Sequence, residues 1–254
     1  MLNYLSAELW RMSRRRSSWL GWGLYLFLVL LVGLTLRENV PWECLLAFRN
    51  FMVAGLYAAP PLAGWALGGG DRAESLANEV SFGLPRTRIY LGKLSAALLV
   101  GTALFLLTTA VFFMGALSPA AMLATSGEDR MLAGAELLQS MLLSLPRYVG
   151  AVSLAYFLTF TLRPATAGTV LYYLYITMGE LTLAAVRVMG LGAVGDFINR
   201  LTGAVRPFLL SGAYFVYGTW DPPLTMGNSW LTGAVWLALT TALGLLIFRR
   251  RDLR

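Results

Sequence analysis

The sequence predicts an all-α polytopic membrane protein with six transmembrane helices, and three observations carry that prediction. Of 254 residues, 57% are hydrophobic and only 13% charged, with a mean hydropathy of +0.65; a soluble domain carries about a quarter charged residues. Six stretches reach the roughly 20 apolar residues that a helix needs to cross a hydrocarbon core about 30 Å thick. Arg11, Arg14, Arg15 and Arg16 precede the first stretch, and Arg249, Arg250, Arg251 and Arg254 follow the last. Lys and Arg stay on the cytoplasmic side of membrane spans, so both ends belong in the cytoplasm and the number of crossings is even.

The elements follow in order along a single domain, 1–254. Leu2, Leu5, Leu9 and Met12 recur at spacings of three and four, with Glu8 and Arg11 elsewhere on the helix. That pattern predicts an amphipathic helix lying in the cytoplasmic interface, within residues 2–16. The spans are Trp19–Leu36, Phe51–Gly69, Leu94–Leu117, Leu137–Leu162, Ala165–Val186 and Trp230–Phe248. The first is no cleaved signal peptide: it is long for such a segment, and Arg37-Glu38-Asn39 follows instead of a small-residue cleavage site. Pro60-Pro61 should kink the second span, and Gly64 and Gly68 stand at a small-xxx-small spacing that lets another helix approach. In the fourth, Pro146 and Arg147 lie near the start and would shorten the apolar run. Residues 187–229 form an outer segment whose apolar part, Pro207–Val216, is too short to span and reads as re-entrant or interfacial. With this topology thirteen Lys and Arg fall on the cytoplasmic side and seven outside.

Several chemistries are excluded. There is no histidine, which removes His-based general bases, triads and metal ligands, and Cys44 is the only cysteine, so no intrachain disulfide or Cys-based metal site exists. No catalytic residue and no metal site is expected. The net charge of +7 sits beside the spans, where membrane orientation accounts for it without a nucleic-acid partner. Gly190 to Gly195 matches G-x-G-x-x-G but follows a membrane span with no strand–turn–helix context, so the glycines read as a tight turn. No P-loop motif occurs, and ATP hydrolysis by this chain is not expected.

The loop over 70–93 is the most informative polar stretch. From Asp71 to Phe82 charged and apolar residues mix at near-helical spacing, then Pro85 breaks the chain and Arg86, Arg88 and Lys93 lead into the third span. Two readings stand: a solvated loop bearing positive-inside charges, or a short cytoplasmic helix that docks into a groove on another protein. Within the fifth span, Glu180 lies beyond Tyr172 and Tyr173. Such a carboxylate faces a partner or a wet cavity, either lining a transport path or pairing with Arg187.

Gly83-Leu84-Pro85-Arg86-Thr87-Arg88-Ile89-Tyr90-Leu91-Gly92-Lys93 resembles the element that precedes the third span in the membrane subunits of type-2 ABC exporters. Phe248-Arg249-Arg250-Arg251-Asp252-Leu253 is similar to that family's C-terminal ending. Leu-Pro stands where Ile-Ser is commoner. The resemblance implies two six-helix permease subunits facing each other, as a homodimer or heterodimer, in a bacterial cytoplasmic membrane. It also implies a separate ABC ATPase subunit under each, which holds the ATP and Mg; no cofactor is expected on this chain. Asp71 to Phe82 would be the coupling helix, with Arg72, Glu74, Asn78 and Glu79 as polar contacts to the ATPase. Leu76 and Phe82 would be its apolar anchors, with Arg86 and Arg88 beside them. The expected cargo is an amphipathic peptide, drug or lipid-like molecule taken from the cytoplasm or inner leaflet, with Glu180, Tyr172 and Tyr173 along its path. An ion-coupled carrier, a non-transporting scaffold or sensor, and, least in accord with the residues, an intramembrane enzyme are the alternatives.

Overall fold

The computed structural model describes residues 2–37, 41–68, 72–117, 126–188, 197, 200, 201, 204, 208–211 and 225–250. Among these, helices account for nearly everything and no strand occurs. They are α1 (Leu2–Ser13), α2 (Arg16–Thr35), α3 (Pro41–Tyr57), α4 (Ala59–Leu67), α5 (Arg72–Ser81), α6 (Arg86–Ala116), α7 (Gly127–Thr161), α8 (Ala165–Val188) and α9 (Met226–Arg250). Four described helices, α2, α6, α7 and α9, are long and apolar enough to cross a membrane. The protein is therefore a helical membrane protein.

Helix α7 is the centre of the bundle, packed by α3, α4, α6, α8 and α9. Of its most apolar membrane-length window 61% is buried, against 17% in α2 and 28% in α6 and α9. This difference explains the sequence of α2, which is apolar all round: most of its surface meets lipid, not protein. The helix α7 runs unbroken through Pro146 and begins ten residues before the expected Leu137, so Pro146 does not shorten it. Arg147 is fully buried at this point; its Nε–H donates to Ser229 Oγ at 3.1 Å and Nη1 to the Leu209 carbonyl at 2.6 Å. Most of the outer segment 187–229, including the Gly190–Gly195 turn, lies outside the described residues.

At the predicted kink in the second span the helix is interrupted at one residue, Ala58. Helix α3 ends at Tyr57, and α4 restarts at Ala59 with both prolines in its first turn, where a missing N–H is tolerated. In a continuous helix the N–H groups of residues 60 and 61 would bond the carbonyls of residues 56 and 57. Proline removes both donors. Two consecutive tyrosines of α8 replace them: Tyr172 O–H donates to the Leu56 carbonyl at 2.8 Å and Tyr173 O–H to the Tyr57 carbonyl at 3.1 Å. Tyr57 also stacks on Tyr173, with centroids 5.8 Å apart, and shares a hydrogen bond of 3.0 Å with Thr177. At the other end of α4, Gly68 adopts φ +101° as a left-handed C-cap.

This exchange of donors makes a specific prediction. Tyr172→Phe leaves a buried carbonyl without its partner and should lower stability by about 1–3 kcal/mol. In a Pro60→Ala background the penalty should shrink, because the regained N–H serves the same carbonyl. Thermal unfolding of the four proteins of this cycle in detergent measures the coupling; an equal penalty in both backgrounds refutes the compensation.

Candidate functional site

Helix α1 is not docked by its apolar residues alone. Leu2 is 79% exposed, whereas Glu8 is only 5% exposed and Met12 1%. Tyr4, Glu8 and Arg11 recur at spacings of four and three, one stripe of α1, and this polar stripe faces the protein, with Arg15 just beyond the helix end. Glu8 and Arg11 therefore face the protein together with Met12, while Leu5 and Leu9 also pack against the core.

Lys93, fully buried near the start of α6, is the hub of the cluster that this stripe completes. Its Nζ donates to Glu8 Oε1 at 2.8 Å and to Glu79 Oε1 of α5 at 2.7 Å. Tyr4 O–H donates to Glu79 Oε2 at 2.6 Å. Arg11 closes on Glu8 Oε2 through Nε–H at 2.9 Å and Nη2 at 2.5 Å. Two cations face two carboxylates, so the formal charge of the cluster is neutral. Tyr4 reaches Glu79 because position 92 is glycine, where any Cβ would overlap the tyrosine ring.

Arg11 and Arg15 also seat the end of α4. Arg11 Nη2 donates to the Ala66 carbonyl at 2.7 Å, Arg15 Nη2 to the Gly68 carbonyl, and Trp65 Nε1–H returns a bond of 2.9 Å to the Met12 carbonyl. Cations at the C-terminal carbonyls of a helix meet the negative end of its dipole. α1, α4, α5 and α6 are therefore tied at one end of the bundle. The C-terminus of α9 joins them: Arg86 Nη1 donates to the carbonyls of Phe248 at 2.8 Å and Arg249 at 3.3 Å, with its guanidinium 5.7 Å from the Phe248 ring centroid. Arg86 of the segment Gly83–Lys93 thus meets Phe248 and Arg249, the described start of the C-terminal run. Upstream of Arg86, Gly83 takes φ +79° to end α5 and Pro85 precedes α6, which makes Gly83-Leu84-Pro85 a rigid corner.

Electrostatics bear on the two groups of α1. Burial raises the Glu8 carboxyl, but Lys93 and Arg11 outweigh it and hold the group below its ordinary value. Burial, and then its bond to the Glu79 carboxylate, push the Tyr4 hydroxyl well above its ordinary value. Both shifts favour the charge states that the hydrogen bonds require.

The expected coupling residues separate into two sets. Leu76 is 4% exposed and packs into the chain's own core, and Glu79 is engaged by Lys93 and Tyr4. Both are thus engaged inside the chain. Phe82 is 85% exposed and Asn78 is exposed. Arg86 is committed to α9, while Arg88 Nε is buried without a hydrogen-bond partner among the described residues. The side chains of Arg72, Glu74 and Glu180 lie outside the described residues. Tyr172 is fully buried and, with Tyr173, holds the α3–α4 break. Gly64 meets no neighbouring helix: a Cβ there would touch nothing within 4 Å. Among the described residues no group of His, Cys, Asp and Glu could hold a metal ion. Tyr4, Glu8 and Lys93 were not identified from the sequence, although the spacing of Tyr4, Glu8 and Arg11 carried the signal.

No family model matches the chain, and no curated protein matches it in sequence.

Lys93→Met leaves two carboxylates facing each other without their shared cation and should cost about 3–5 kcal/mol of stability, read as a lowered unfolding midpoint in detergent. The pH dependence follows from the shifts. With Glu8 lowered from 4.5, its contribution is present above that pH and is lost as pH falls through the lowered value; with Tyr4 raised from 10, its contribution is present below pH 10 and is lost on further rise. The midpoint should plateau between these values, and Glu8→Gln should blunt the acid limb. An unchanged acid limb in that variant contradicts the role of Glu8.

Proposed function

We propose that this chain is the membrane subunit of an ATP-driven exporter, with α5 as the element that receives motion from a separate ATPase. The observation that carries the reading is the division of labour on α5. One face is fixed through Glu79 and Leu76 to the chain's interior, while Asn78 and Phe82 project outward. An exposed Phe beside a polar face is what a groove on a soluble partner would bind. A solvated loop would need neither the buried ion pair nor the aromatic.

In this reading α3 with α4 and α8 supply the second and fifth crossings, and the end bearing α1, α5 and the terminal arginines is cytoplasmic, in a bacterial inner membrane. Two such subunits face each other. ATP-driven closure of the ATPases displaces both copies of α5. The Lys93 cluster conveys the displacement to α1, α6 and the end of α4, and α4 turns about its break at Ala58. The cargo is an amphipathic peptide, drug or lipid-like molecule moved outward.

Purification of the chain from its native membranes in mild detergent should bring down a stoichiometric soluble P-loop ATPase. Phe82→Ala should abolish that association while leaving the stability within about 0.5 kcal/mol of wild type, as befits a surface substitution. Recovery without any ATPase in several detergents would remove the exporter reading and favour a carrier or scaffold.

A further inference from the structure

A groove of about 590 Å³ opens between α2 and the broken pair α3–α4, within the roughly 300–1,000 Å³ of small-molecule sites. Arg15 and Ser18 line one end, and Trp22, Trp65, Tyr25 and Tyr57 line the rest. The break at Ala58 produces it, since Tyr57, Ala58 and Pro61 all belong to its wall.

The surroundings decide what fills it. On α2, Leu20 is 77% exposed, Leu24 61% and Phe27 54%, so the groove opens onto a lipid-facing surface. From Arg15 to Tyr25 along α2 is about 15 Å, half of a hydrocarbon core of about 30 Å. The groove therefore covers one leaflet. A transmembrane helix from a second copy would cross both leaflets; an acyl chain occupies one. At the polar end stand the Arg15 guanidinium, which already serves the Gly68 carbonyl, and the Ser18 hydroxyl, with Arg14 and Arg16 adjacent in sequence. A basic end on an apolar slot between membrane helices matches an anionic headgroup.

We infer that this groove binds an anionic phospholipid of the leaflet on the basic side, with its phosphate at Arg15 and Ser18 and one acyl chain along Trp22, Tyr25, Tyr57 and Trp65. The site stands independently of the exporter reading, since it needs neither an ATPase nor transport. Occupancy would wedge the α3–α4 break and tie its setting to membrane composition.

Gly21 and Gly64 provide the test, because both line the groove and a Cβ at either meets nothing within 4 Å. Both positions therefore accept a Cβ, and Gly21→Leu with Gly64→Leu directs apolar bulk into the slot. The full chain is placed in vesicles containing either phosphatidylglycerol or phosphatidylcholine with a photoreactive acyl chain, irradiated, and its labelled peptides are mapped. Label is expected around Trp22–Tyr25 and Tyr57–Trp65, about fivefold stronger with the anionic lipid. Arg15→Gln should reduce it to the phosphatidylcholine level, Arg15→Lys should retain the preference, and the double leucine variant should lose label at both segments. Equal labelling by the two lipids, unmoved by Arg15→Gln, overturns the inference. So does a disulfide between two chains at Gly21→Cys in a Cys44→Ser background with no lipid label, which would assign the groove to a second copy.

Discussion

A lysine ammonium with no exposure to solvent must be met by anions, and Lys93 is met by two that lie on different helices. That requirement fixes more of this protein than any apolar contact. It brings Glu8 and Glu79 together, and with them α1 and α5, two short helices that also bury Met12 and Leu76. Neither would hold its place by propensity alone: helices of about a dozen residues are marginal in isolation. The cost of desolvating Lys93 is offset only while both carboxylates are present. Tyr4 and Arg11 then fill the remaining oxygen positions of those carboxylates. The pair is held from several directions and has no room to exchange partners.

The second constraint is the loss of two backbone donors at Pro60 and Pro61. Within an uninterrupted helix interior carbonyls are bonded by the helix itself; here those of Leu56 and Tyr57 are met by side chains of α8. The break is therefore stable yet separable from the helix ladder, since two hydroxyl bonds are easier to reorganise than a run of backbone bonds. α4 beyond the break is bound by Arg11, Arg15 and Trp65 to α1. The molecule thus divides into a core around α7 and a basal unit of α1, α5 and the start of α6, and α4, which packs on α7 and is tied to α1 at its end, joins the two. Such a division is what a lever needs, and it lends the proposed coupling role a physical route.

Much of this was legible in the sequence. Hydropathy located each long helix, and α5 fell where charged and apolar residues alternate at helical spacing, between Asp71 and Phe82. Ends were less well read. α6 starts at Arg86, not Leu94, because Arg86, Tyr90 and Lys93 spend their polar groups inside the protein, where a hydropathy window counts them as water-facing. Pro60-Pro61 foretold a disturbance, but not that Tyr172 and Tyr173, more than a hundred residues away, would repair it. The place of Glu8 is illegible for a similar reason: a carboxylate on an amphipathic helix faces water unless a distant cation receives it, and membrane orientation is by itself a sufficient account of Lys93. In each case a polar residue had a local explanation sufficient by itself, and the partner that changes its meaning lies far along the chain.

Hydrogen–deuterium exchange of the intact chain, wild type against Lys93→Met, tests most directly whether one buried ammonium unites the basal helices. Amides of residues 2–13 and 72–81 should lose protection together in the variant, while those of α7 and α9 keep theirs. Loss confined to one of the two helices, or a uniform loss across the bundle, would contradict the account.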